Sequence, residues 1–173
     1  MYNAIAANKR NTVIIMTVFV GIIGGIGYLL SSIYGNSSIT PWIVGGALFY
    51  ALIQYFLASK LAVMSTGAQE IEKSDNPRMY RIVENLAITE GLPMPKVYII
   101  DDPAPNAFAT GRDPQHALVA ATTGLLDIMN DQELEGVLAH EMAHIKNYDI
   151  RVSMVAVALT AVIGMLSDIV LRF

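Results

Sequence analysis

Five residues name a chemistry: His140-Glu141-Met142-Ala143-His144, an H-E-x-x-H pattern. On a helix, side chains four apart share one face about a turn from each other, so both imidazoles can reach a single zinc ion. Glu141 lies on the flank of that face. A glutamate so placed can take a proton from an activated water and pass it to a leaving amine. The chain has three histidines, and two of them are here. The competing reading makes His140 and His144 ordinary histidines on an amphipathic helix. The five-residue pattern with small neighbours favours metal.

That chemistry requires a helix, and the flanks supply one. Asn130 followed by Glu133 reads as a capped start, and Asp131 and Glu133 put negative charge where the helix dipole favours it. Leu134, Val137, Leu138, Met142 and Ile145 recur at helical spacing as an apolar stripe. Gly136, Ala139 and Ala143 cluster on the histidine side and leave room for a metal and a peptide backbone. Lys146 stands near the C-terminal end, as the dipole prefers.

The rest of the chain must hold this helix at a membrane. Its 173 residues are 54% hydrophobic and 15% charged, against about a quarter charged in soluble domains. Net charge is -4 with no cysteine. With no basic run, nucleic-acid binding has no support, and the lack of cysteine excludes thiolate ligands. Zinc, the expected cofactor, must be held by histidine and carboxylate.

Thr12 to Leu30 carries no charge and makes about 28 Å of helix, enough to cross a bilayer core. Its apolar run outlasts the ~7–15 residues of a signal peptide, so it reads as retained. Gly21 and Gly25 form a G-x-x-x-G pair suited to close helix approach. Ile39 to Ala58 is again uncharged, with Pro41 in its first turn and Trp42 and Tyr55 near its boundaries. Val152 to Leu171 reads as a third span, whose Asp168 is expected to pair with Arg172 at the surface. Lys9, Arg10, Lys60 and Arg151 flank the spans, and the loop between the first two has no basic residue, so the domain is expected to face the cytoplasm.

The expected layout is a cytoplasmic tail (1–11), a first span (12–30), an external loop (31–38) and a second span (39–58). A cytoplasmic domain (59–149) and a third span (150–173) follow. Within the domain, Asp75-Asn76-Pro77 starts a helix whose apolar face runs through Tyr80, Ile82, Val83, Leu86, Ala87 and Ile88 to Gly91. Lys96–Ile100, Asn106–Thr110 and Ala117–Ala121 read as strands, and Thr122 and Thr123 cap a short helix through Met129. His116 reads as solvent-facing. Asp149 has two readings: a carboxylate that orients a ligand histidine, or the N-cap of the third span. The sequence leans slightly to the cap.

PNAFATGRDPQHALVAATTGLL (Pro105–Leu126) and ELEGVLAHEMAHIKNYD (Glu133–Asp149) resemble an HtpX-type membrane zinc metalloprotease, related to the CAAX prenyl endopeptidases. Two spans before the motif and one after match that layout, and the resemblance covers essentially the whole chain. It implies an integral membrane α+β fold: transmembrane helices plus a partial, gluzincin-like cytoplasmic domain with a small sheet and an active-site helix. It also implies a cell-membrane, multi-pass protease that cleaves damaged or misfolded membrane proteins. His140 and His144 would be the zinc ligands and Glu141 the general base. Asn106, Ala107, Phe108 and Ala109 would form the edge strand that receives an extended peptide; an open edge offers main-chain hydrogen bonds to any sequence.

Two features depart from that pattern. The family's third ligand is a glutamate downstream of the motif, and no glutamate follows Glu141. The family's fourth span is absent too. The expectation is a C-terminally shortened chain that binds zinc poorly, with a loosely packed site and little activity. The alternative function is a catalytically silent membrane protein that binds peptide strands without cutting them. The sequence does not fix the oligomeric state.

Overall fold

The computed structural model describes residues 2–171. Three long helices form one part: α1 (Tyr2–Tyr34), α2 (Ile39–Thr66) and α6 (Asp149–Leu171). Ile5–Tyr34 and Ile39–Leu57 are long and apolar enough to cross a membrane. α6, at 23 residues, measures about 35 Å. Their inner seam holds Phe19, Ile23, Ala47, Val155 and Leu159. Large apolar side chains such as Leu29, Phe49, Leu52 and Val157 point outward and are more than half exposed. In water such a surface would be a liability; in hydrocarbon it is the natural one.

α1 and α2 both outrun the spans read from hydropathy. Residues 2–11 are helical and continue α1, and α2 runs on to Gly67, whose φ of 65° closes it. Gly21 and Gly25 meet no atom of this chain within 4 Å. The close approach comes at Gly27, where a Cβ would stand 3.3 Å from Thr40 Cα. Arg172 and the side chain of Asp168 lie outside the described residues, and with them the expected pair.

The domain between α2 and α6 is built on a four-stranded sheet in the order β1-β2-β4-β3: β1 (Gln69–Glu70), β2 (Lys96–Ile100), β3 (Ala107–Gly111) and β4 (Ala117–Thr122). β2 and β4 are parallel, while β3 returns antiparallel to β4 and forms one edge. β4 is buried along its whole length, as its uninterrupted apolar run requires. β1 is too short to leave a sequence signal. Gly111 closes the β3 end with φ 147°, and a Cβ there would lie 2.6 Å from the His116 carbonyl oxygen. Only glycine fits that turn.

α3 (Pro77–Glu90) and α5 (Asp131–Asn147) cover one sheet face. α3 starts as the sequence predicts: Asn76 accepts from the Met79 N–H, Pro77 takes the first turn, and Gly91 ends it. Its inner face differs at one place: Met79 is fully buried, whereas Ile88 faces solvent. α4 (Thr123–Ile128) is capped by Thr122, which accepts from Leu125 N–H.

Candidate metal centre and peptide edge

α5 is held at both ends and along one side. Asn130 and Glu133 close a reciprocal capping box at its start. Arg78 of α3 adds a clamp: its Nε lies 2.6 Å from Asp131 Oδ1, one terminal nitrogen donates to the Leu126 carbonyl at 2.8 Å, and the other to the Met129 carbonyl. Leu134, Leu138, Met142 and Ile145 are buried to 1% exposure or less. Each such side chain contributes roughly 1.5–3 kcal/mol. The loose packing expected around the site is therefore not what this face shows.

Burying that stripe turns His140 and His144 outward. Their Nε2 atoms stand 3.2 Å apart, with the rings crossed at 83°. Two nitrogens on a tetrahedral zinc, each at ~2.0–2.1 Å, would be about 3.3–3.4 Å apart. The spacing is thus that of two ligands on one ion. His144 Nδ1 lies 3.0 Å from Asp149 Oδ2. A carboxylate can only accept here, so Nδ1 is the donor, and in the neutral imidazole the Nε2 lone pair is then the one left to bind a metal. Asp149 is the first residue of α6 and contacts the histidine. Of its two sequence readings, this contact is the one by which a carboxylate orients a ligand. Tyr148, in the left-handed region at φ 62°, ends α5 and swings Asp149 back beneath His144.

Glu141 is half-buried and faces the sheet edge, its Oε2 accepting from the Ala109 N–H at 3.0 Å. That bond follows from strand register. Thr122 N–H donates to the Asn106 carbonyl at 2.9 Å, which makes Asn106 a hydrogen-bonded partner of β4. Alternation along an antiparallel pair then directs the main-chain groups of Ala107 and Ala109 away from β4, and those of Phe108 towards it. Asn106 precedes β3, its N–H donating to Thr122 Oγ1. The expected edge Asn106–Ala109 is thus an edge, with its outward groups on Ala107 and Ala109.

Beside the His144 imidazole is a cleft of about 280 Å³, bounded by Ala62 of α2, Thr110 of β3, and Ile150, Met154 and Val157 of α6. Sequence reading missed these residues. Ala62 and Met154 look like any others in apolar helices, and no local pattern marks them. His116 is exposed as expected and lies 2.6 Å from Asp113. Burial pushes the Asp113 carboxyl up, but the hydrogen bond and charge of His116 and the charge of Arg112 outweigh it and leave the group lowered.

The donor set fits zinc in part. Two imidazoles at ligand spacing suit the ion, but no third histidine, aspartate or glutamate joins them among the described residues. Catalytic zinc sites commonly take three protein ligands.

Residues 73–172 match the model of peptidase family M48. The chain belongs to that family. Within M48 it is 57% identical over 172 residues to the Protease HtpX homolog of Tropheryma whipplei, a match covering 99% of this chain and 59% of that protein. It is 46% identical over 175 residues to the Protease HtpX homolog of Lactobacillus acidophilus, covering 100% and 59%. The chain therefore spans about three fifths of the length of these relatives. Its fold is similar to the crystal structure of S. mikatae Ste24p, with TM-score 0.52 and 18% identity over 96% of this chain and 39% of that one.

Proposed function

We propose that this chain carries the metal-binding helix of a membrane-anchored zinc endopeptidase that hydrolyses peptide bonds of damaged or misfolded membrane proteins. The observation that carries the reading is the 3.2 Å approach of the His140 and His144 Nε2 atoms, with Glu141 beside them at the sheet edge. His140 and His144 would hold the ion, and Asp149 would keep His144 in the tautomer that can bind it. Zinc, when bound, would polarise the scissile carbonyl and make water a better nucleophile. Glu141 takes the proton of the attacking water and hands it to the leaving amine. The Ala109 N–H holds one carboxylate oxygen of Glu141 and leaves the other for the proton.

A substrate in extended form would lie along β3. The N–H and C=O of Ala107 and the C=O of Ala109 remain to pair with it, which gives affinity without sequence preference. The side chain next to the cleaved bond would enter the cleft between Ala62 and Met154, whose walls suit apolar residues. The basic residues Lys9, Arg10, Lys60 and Arg151 support a multi-pass protein of the cell membrane with this domain in the cytoplasm. Its partners are then the lipid bilayer and unfolded or membrane-protein substrates.

The test is casein hydrolysis by the full-length protein in liposomes. Glu141→Gln is expected to lower the rate ~10²–10⁴-fold, and a zinc chelator to abolish it. Cleavage that survives both treatments would refute the assignment.

A further inference from the structure

Asn8 lies near the start of α1, 141 residues from Asp149 in sequence. Its side-chain amide nonetheless reaches the α5–α6 junction and donates twice there. One bond goes to the Asn147 carbonyl at 2.9 Å and the other to Asp149 Oδ1. The second oxygen of the same carboxylate, Oδ2, is the one that contacts His144 Nδ1 at 3.0 Å. Both oxygens of Asp149 are therefore engaged, one by the first membrane helix and one by the histidine. Next to Asn8, the Lys9 ammonium stands 4.7 Å from the ring centre of Tyr148, the residue whose left-handed backbone brings Asp149 into place.

The residue type matters. A carboxylate with one oxygen free can turn about its own bond and exchange its histidine for water. Asp149 is part-exposed, so water is at hand. An amide donor fixes the second oxygen without bringing a charge. A lysine or arginine there would compete with His144 for the carboxylate, and an aliphatic residue would leave it loose. Which imidazole nitrogen is free to bind a metal is set by the hydrogen bond at the other one. A constraint on Asp149 is therefore a constraint on His144 Nε2.

We infer that Asn8 is a positioning residue for the metal site: through Asp149 it holds His144 with Nδ1 protonated and Nε2 open. The inference rests on the zinc reading above and adds a dependence on the membrane, because the residue that steadies the site belongs to α1. The site is fully ordered only when the first span is packed against the α5–α6 junction.

The three histidines of the chain make the test direct. In proteoliposomes of the 173-residue chain with ¹⁵N-labelled histidine, solid-state NMR without metal reads the His144 tautomer, and titration with zinc chloride reads affinity. The wild type should show His144 as the Nδ1–H form. Asn8→Ala should shift it towards the Nε2–H form and raise the zinc Kd about tenfold. Asn8→Asp should do the same, by setting two carboxylates against each other. Adding Asp149→Asn to Asn8→Asp should bring both readouts back towards wild type, since the bond re-forms with donor and acceptor exchanged.

A merely structural Asn8 would leave the tautomer unchanged in folded single variants, and the double variant would be no better than its worse parent. An unchanged tautomer and Kd in Asn8→Ala overturns the inference and leaves the zinc reading standing. Zinc binding that ignores His144→Ala sinks both.

Discussion

The two halves of the molecule solve opposite packing problems with the same residue types. In the domain, Val83, Val119, Leu134, Leu138 and Met142 are wholly buried, and the outer faces carry the charges. Among the described residues of the helices α1, α2 and α6, a thin seam around Phe19, Ile23 and Ala47 is buried, and valines, leucines and phenylalanines cover much of the outside. A leucine removed from water stabilises the domain. A leucine facing hydrocarbon gains little by packing, since lipid tails are as apolar as its neighbours. Side-chain hydrogen bonds also differ: in the described parts of these three helices they mostly return to the helix's own backbone, as Thr17 to Val13 and Thr160 to Ala156 do.

The contrast predicts that equal truncations have unequal effects. Leu138→Ala, in the fully buried face of α5, is expected to destabilise the domain by ~2–5 kcal/mol. Leu52→Ala, 53% exposed on α2, removes a similar side chain and should change stability by less than about 0.5 kcal/mol. Denaturant titration in detergent, followed by proteolysis at the domain, compares the two. Equal losses would mean that the outward face of α2 is packed against protein. A smaller effect should follow from Arg78→Ala, which releases Asp131 and the carbonyls of Leu126 and Met129 at the α5 start. About 1–3 kcal/mol is expected, because two part-buried carbonyls lose a charged donor. Its signature is early hydrogen exchange in the first turn of α5, with the spans unaffected.

The same contrast explains what was legible in the sequence. α5 could be read almost residue by residue, because cap, dipole charges and a 3.6-residue stripe all agree over its length. Lys96–Ile100 could be read because four successive β-formers, Val97 to Ile100, stand between turn signals. In the spans, hydropathy locates the apolar core but marks neither ends nor neighbours. The first span reads as starting at Thr12 although the helix begins at Tyr2, because polar residues at a membrane surface are as helical as those within. The G-x-x-x-G pair meets no helix of this chain for a related reason. Small residues permit close approach, but the approach falls at Gly27 because the short Gly35–Ser38 connection fixes where α2 can return. At the site, the spacing of His140 and His144 carried the pairing of the rings. The contacts of Glu141 with Ala109, and of Asp149 with Asn8, join segments far apart in the chain, and no local pattern records them.

The smallest expected effect tests the polar outer face of the domain, where the spans have no counterpart. Glu70 of β1 and Lys96 of β2 form an ion pair at 2.9 Å, with the Tyr98 hydroxyl also donating to Glu70. The Lys96 hydrogen bond holds the Glu70 carboxyl below its ordinary value of 4.5. The same bond holds the lysine above its ordinary 10.5. Burial, followed by the Glu70 hydrogen bond, pushes the Tyr98 hydroxyl up. A lowered carboxylate contributes stability that is present above 4.5 and is lost as pH falls through its folded-state value. A raised lysine contributes stability that is present below 10.5 and is lost as pH rises through its folded-state value. The pair thus supports β1 against β2 over the whole range between. Both side chains are about half exposed or more, so solvent screening holds the contribution to a few tenths of a kcal/mol, at most ~1. Glu70→Gln should therefore leave the global transition almost unmoved at neutral pH while speeding amide exchange at Ile71, whose N–H donates to Val97 beside the pair. The difference from wild type should vanish below the folded-state value of Glu70. A difference that persists at low pH would mean that β1 is held by its two-residue ladder and by Ile71 in the core rather than by charge.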